Sequence, residues 1–315
     1  MVRSRMALAQ SVCSPRGLDE FKNTGSCFSL LALQELAKSW NRTRGQAPGA
    51  SRINETSQDP AVIRRELTRR MEKECAGKNK EACWVQKLGG PSQNREAGKM
   101  VMPAKPNSWN QNPNQWLTNY DIQHVLSRFE GDTKYPYKLL GVFPIDFQGK
   151  DSGGSVLYPE MYDFQLAQYV GKYQYLGLIT NLDTHDGPGS HWTSSFIVID
   201  PKMKCFGAYY YDSTFTGKTD LRRVPESIRK FFKVLKKQAE ALPEARARNA
   251  KFKNLYYKLN HQRGNTECGM FSIFYQVHWL NSIIKNKDTV HKDIIRLKIT
   301  DGQVAKLRKF FFAEI

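Results

Sequence analysis

A glutamine stands six residues ahead of a cysteine in the run Gln262-Arg-Gly-Asn-Thr-Glu-Cys268-Gly269, at the mouth of an apolar segment. A thiol attacks a carbonyl only as the thiolate. The open N–H groups of a helix start and a nearby imidazolium both favour that form. Gln262 offers an amide N–H that can stabilise a developing oxyanion beside the Cys268 backbone N–H. Upstream, His191 heads the strand-like run Trp192 to Ile199, and Asp212 ends another, Ala208-Tyr-Tyr-Tyr-Asp212. Each residue alone has an ordinary explanation: a small buried thiol, a satisfied histidine, a turn aspartate, a loop glutamine. In the chain order His, Asp, Gln, Cys they supply a base, an orienter, an oxyanion donor and a nucleophile, which is the chemistry of a cysteine protease. Gly264 and Gly269 keep the backbone around the thiol open to close approach, whereas the negative charge of Glu267 opposes thiolate formation.

The elements that must position these groups follow from periodicity. Cys268 to Ile284 is apolar nearly all round and predicts a buried central helix beginning at the cysteine. Tyr137 to Phe143, Tyr173 to Thr180, Thr193 to Asp200, Cys205 to Asp212 and Phe252 to Leu259 are β-rich. If the third and fourth form a hairpin closed by Pro201 to Lys204, His191 and Asp212 fall at the same open end. Helices are predicted from Gln115 to about Phe129, over Pro159 to Val170, over Val224 to Leu242 with lysines on its outer face, and after Thr300, whose spacing to Gln303 fits a capping box. The fold class is α+β.

Ahead of this lies a smaller unit. Residues 1–25 read as a flexible N-terminus. Residues 26–88 read as a small helical domain, with helices over Phe28 to Trp40, Ser26 as N-cap, and over Ala61 to Cys75. Residues 89–114, rich in Pro, Asn and Gln, read as a linker, and 115–315 as the catalytic domain.

The chain has 315 residues, 40% hydrophobic, and a net charge of +18. The excess is uneven: +9 over residues 1–106, −4 over 107–217 and +13 over 218–315. Basic flanks of this size suit a polyanion, and the expected one is nucleic acid bound without sequence preference. Six cysteines, at 13, 27, 75, 83, 205 and 268, with no Cys-x-x-Cys pair, predict a reducing compartment with neither a disulfide framework nor a structural zinc. A metal pair from Cys75 and Cys83 is disfavoured. Neither a membrane span nor a signal peptide is expected.

His191-Trp192, Asp212-Ser213 and Gln262 with six steps to Cys268-Gly269 resemble the adenain/Ulp-type cysteine proteases, which include SUMO-processing enzymes. Trp116-Leu-Thr-Asn-Tyr-Asp-Ile122 and Leu140-Gly-Val-Phe-Pro-Ile-Asp-Phe147 are similar, more narrowly, to the core proteases of nucleocytoplasmic large DNA viruses. The resemblance implies a papain-like α+β fold with a small N-terminal helical domain. It implies an endopeptidase that cleaves structural polyproteins and core precursors after Gly-Gly or Ala-Gly during virion maturation, in the virion core and the cytoplasmic viral factory. His191 would be base, Asp212 orienter, Cys268 nucleophile and Gln262 oxyanion donor. Trp192 would wall a narrow channel for glycine, with Gly269 beside it as a second substrate-binding position. No metal or cofactor is implied beyond stimulation by DNA, which some relatives use. The rival readings are a SUMO- or ubiquitin-like isopeptidase and a nucleic-acid-binding virion protein with an inactive site.

Overall fold

The computed structural model describes residues 12–49, 51–76, 80–131, 135–214, 224–284 and 296–315. Residues 1–11 of the expected flexible terminus and parts of the basic C-terminal third (218–223 and 285–295) lie outside the described residues, while Pro15–Thr24 of that terminus is a helix rather than flexible chain. The chain forms two compact units: residues 1–113 with 306–315, and residues 114–305.

The first unit is helical, with α1 Pro15–Thr24, α2 Leu30–Thr43, α3 Pro60–Met71, α4 Lys80–Lys87, α5 Gly90–Gln93 and α6 Arg95–Met100. Leu33, Leu36, Ile63, Leu67 and Trp84 from α2, α3 and α4 share one apolar core. The N-cap of α2 is Ser29, not Ser26, because Ser26 Oγ donates to the Glu81 carboxylate at 2.7 Å instead. The expected linker is part of this fold. Pro91 sits in the first turn of α5, and fully buried Asn94 accepts from Ser39 Oγ (2.7 Å) and donates to Leu88 O (2.9 Å). The same Pro and Asn chemistry that marks linkers also starts and ends short helices.

The catalytic-domain boundary at 315 also moves. Ala313 N donates to Pro103 O, and Lys105 N to Ala313 O, both at 2.8 Å. Phe312 packs edge-on against Trp109 at 4.7 Å, so the last ten residues complete the first unit.

Two disulfides staple the first unit, Cys13–Cys27 and Cys75–Cys83, which overturns the expectation of unpaired cysteines. They join cysteines 14 and 8 residues apart, a pairing that depends on how the chain folds back and leaves no spacing signature. Cys75 and Cys83 bind each other and leave no thiol pair for a metal. Cys205 and Cys268 are free.

The second unit is built on a five-stranded sheet in the order β1 to β5: β1 Tyr137–Phe143, β2 Tyr175–Asn181, β3 Trp192–Val198, β4 Gly207–Asp212 and β5 Lys253–Lys258. The outer pairs are parallel and the two central pairings antiparallel. Helices cover both faces, so β2 and β4 are buried along their whole length. Helix α7 (Asn119–Leu126) packs beside β1. Helix α8 (Glu226–Ala241) buries Phe231, Phe232 and Leu235 against Leu178, Ile197 and Tyr210. Helix α9 (Cys268–Ile284) covers the other face. There Trp279 stacks on Phe196 at 4.9 Å, and Tyr275 on Tyr211 at 4.5 Å. Inside that face Gln276 donates to Ser194 Oγ and Ser195 O, and accepts from Tyr137. A last short helix, α10 (Asp301–Ala305), has the Thr300–Gln303 capping box. The helix expected over Pro159 to Val170 is reduced to Pro159–Tyr162 and a separate 3-10 turn.

Candidate active site

Strands β2, β4 and β5 finish at the sheet edge where β3 begins. The loop 183–190 returns the chain from β2 to this edge. Asn181 Oδ1 accepts from Asp183 N (3.0 Å) and Ser190 N (3.2 Å), and Leu182 N donates to His191 O (2.9 Å). The loop therefore closes on its own stem and delivers His191 immediately before β3. Asp212 ends β4 on the neighbouring strand, at the same open end of the hairpin.

His191 Nε2 and Asp212 Oδ1 are 2.8 Å apart, with both side chains largely buried. The carboxylate also accepts from Thr214 N (2.9 Å) and Thr214 Oγ1 (3.0 Å). With Nε2 engaged, Nδ1 is the ring nitrogen left for the thiol of Cys268, which is near enough to act on the imidazole. Burial pulls the imidazole pKa down, but the hydrogen bonds and charges of Asp212 and Cys268 outweigh it and push it up to about 9. Burial likewise raises Asp212, yet His191 and Thr214 hold its carboxyl below the ordinary value. Cys268 opens α9, with Phe271 N bonded back to Glu267 O at 2.8 Å. The largely apolar surface of that helix packs it against the sheet face, with Cys268 itself buried.

Gln262 is 3% exposed and sits one loop before Cys268. Its Oε1 accepts from Ser213 Oγ at 2.8 Å, and its Nε2 donates to Gly264 O at 2.9 Å. His191 and Asp212 are thus in direct contact, and Cys268 acts on the same imidazole. Gln262 is tied to the same strand end through Ser213, the residue after Asp212.

Trp192 Nε1 donates to Leu117 O at 2.9 Å. Gly269 lies beneath the same residue: a Cβ there would stand 2.9 Å from Leu117 Cβ and 3.1 Å from Leu117 Cδ1. The close approach that Gly269 permits is made by this protein's own leucine, which gives the glycine a supporting role beside the nucleophile. Leu117 thereby bridges Trp192 to the helix start. Beside it Trp116 (43% exposed) and Tyr120 (67% exposed) leave large apolar surface in solvent. Among the described residues no cluster of His, Cys, Asp or Glu suits a metal ion, and no helix is long and apolar enough to cross a membrane.

Sequence reasoning missed Thr214, Ser213, Leu117 and Asp301, whose carboxylate accepts from Arg263 N and Gly264 N at 3.1 and 2.8 Å. Ser213 and Thr214 were visible as the polar pair after Asp212. Asp301 carried only the signal of a helix start.

Fold, site and relatives together identify a cysteine protease, similar to proteases of two large DNA viruses. Its relatives include a protein of Acanthamoeba polyphaga mimivirus whose name assigns it to the thiol proteases. That relative is 24% identical over 285 residues, covering 86% of this chain and 85% of the relative. A cysteine protease of African swine fever virus is 26% identical over 211 residues, 62% of this chain and 67% of its own length. The crystal structure of the African swine fever virus protease has the same fold, with a TM-score of 0.55 at 18% identity and coverage of 97% of both chains. No family model matches the chain.

Proposed function

We propose that this cysteine protease is an endopeptidase that cleaves viral structural polyproteins or core precursors after glycine during virion maturation. The observation that carries the reading is the imidazole of His191 held between Asp212 and Cys268 at the start of α9. His191 takes the thiol proton on Nδ1, and Asp212 keeps Nε2–H engaged and steadies the imidazolium. The Cys268 sulfur attacks the scissile carbonyl. The oxyanion is received by the Cys268 backbone N–H and by the Gln262 N–H that Gly264 O does not use. Collapse breaks the C–N bond, and His191 returns its proton to the leaving amine. Water, deprotonated by the same imidazole, then hydrolyses the thioester and restores the thiol.

A preference for glycine is supported by the crowding at Leu117, which Trp192 and Gly269 hold close to the nucleophile. A side chain beside the scissile bond would compete with that packing. A second reading has its own support: several African swine fever virus relatives are named SUMO-1 cysteine proteases. DNA is proposed as a non-specific partner in the viral factory and virion core. Lys233 and Lys237 lie about one turn apart on the exposed face of α8, where phosphates could reach them.

Incubation of wild type and Cys268→Ala with Gly-Gly-X peptides, with and without DNA, tests the proposal. Cleavage after the second glycine, lost in Cys268→Ala, is expected. A SUMO fluorophore cleaved far better than the peptides would favour the isopeptidase, and cleavage retained by Cys268→Ala would remove both enzyme readings.

A further inference from the structure

The amide of Gln262 lies between a hydroxyl and a backbone carbonyl, and this settles which way round it sits. Gly264 O can only accept, so the atom facing it at 2.9 Å is the N–H2, and the amide oxygen faces Ser213 Oγ at 2.8 Å. Ser213 grips the same residue through its backbone, since His261 N and Gln262 N both donate to Ser213 O at 2.9 Å. Ser213 is 1% exposed and directly follows Asp212. One strand end therefore holds the carboxylate that orients His191 and the serine that orients Gln262. From the opposite side, across 37 residues of chain, Asp301 accepts from the backbone N–H groups of Arg263 and Gly264. That contact fixes the carbonyl on which Nε2 leans.

We infer that Ser213 and Asp301 are positioning residues of the oxyanion hole: Ser213 sets the orientation of the Gln262 amide, and Asp301 holds the loop that carries it. The inference rests on the role proposed for Gln262. Only one N–H of the amide is used by Gly264, so the other is available to the oxyanion in a fixed direction. Loss of the Ser213 hydroxyl leaves a buried amide oxygen without its donor and lets the amide rotate. Loss of the Asp301 carboxylate loosens the loop without touching the amide.

Steady-state kinetics on a Gly-Gly-X peptide test this for Ser213→Ala, Asp301→Asn, Gln262→Ala and the two combinations with Gln262→Ala. The rate of Cys268 alkylation by iodoacetamide is measured in the same proteins. Ser213→Ala is expected to lower kcat about tenfold, less than the roughly 10²–10³-fold cost of removing an oxyanion donor outright, with KM nearly unchanged. Asp301→Asn, at a half-buried site, keeps one oxygen that can accept and is expected to show a smaller fall of the same kind. Alkylation builds no oxyanion, so its rate should stay at the wild-type value. In the Gln262→Ala background neither substitution should lower kcat further. Losses that multiply in that background, or a parallel fall in alkylation, would overturn the inference. A crippled Gln262→Ala beside fully active Ser213→Ala and Asp301→Asn would overturn the positioning roles alone. A fully active Gln262→Ala would overturn them together with the oxyanion assignment.

Discussion

Replacing Asp212 by Asn keeps the shape of the side chain and an oxygen that can accept from Nε2–H, but removes the charge. In the native site that oxygen serves His191 at 2.8 Å and Thr214 at 2.9 and 3.0 Å. Burial alone would pull the His191 pKa below its ordinary value; the hydrogen bond and charge of Asp212, together with those of Cys268, outweigh burial and bring it to about 9. Near pH 7.5 an imidazole with that pKa is almost wholly protonated, whereas at or below about 6.5 no more than about a tenth is. The imidazolium population then falls about tenfold, and the whole rise of about 2.5 units corresponds to roughly 3 kcal/mol, or about 300-fold. Cys268 contributes part of the rise, so kcat/KM for Asp212→Asn is expected to fall between these limits. The assay is kcat/KM on a Gly-Gly-X peptide from pH 5.5 to 10 for both proteins. The alkaline limb, near pH 9 in the wild type, should move down by more than one unit in the variant. An unmoved alkaline limb, or a loss of less than about threefold, would refute the view that charge on Asp212 sustains the imidazolium.

Gly269→Ala places a methyl 2.9 Å from Leu117 Cβ and should displace Leu117 and loosen the Trp192 bond; the expected result is a several-fold higher KM for Gly-Gly-X with Cys268 alkylation unchanged. Reduction of Cys13–Cys27 and Cys75–Cys83 is expected to destabilise the first unit by about 2–4 kcal/mol for each bond, read as a lower Tm with dithiothreitol and reproduced by Cys27→Ser and Cys83→Ser. His191 has a raised pKa in the folded state, so its contribution to stability is complete below about 6.5 and is lost as pH rises towards 9. Urea midpoints for wild type should therefore fall over that window more than those of His191→Ala.

The site was legible in the sequence where one strong local pattern fixed it. Cys268 to Ile284 is apolar nearly all round, which points to a buried helix, and the run from Tyr137 to Phe143 is a strand with the bounds its composition suggests. The His191–Asp212 hairpin followed from two β-rich runs with a short turn between them. What failed depended on partners far along the chain. Ser26 looks like an N-cap until Glu81, 55 residues away, claims it. Residues 89–114 look like a linker until Asn94 is buried against Ser39. Residues 306–315 look like the end of the catalytic domain until Ala313 pairs with Pro103 and Lys105. Disulfides are of the same kind, because a bond needs two Cα atoms brought within about 7 Å by the fold. Asp301 belongs here as well: nothing near it in the sequence announces the loop it holds.

The most direct test of the account is covalent trapping. A peptide ending in Gly-Gly with a vinyl sulfone warhead is incubated with the folded protein, and the adduct is located by peptide mass. One adduct on Cys268 is expected, abolished in Cys268→Ala and slowed at least tenfold in His191→Ala. No adduct, an adduct on Cys205, or labelling of Cys268 at an undiminished rate in His191→Ala would contradict it.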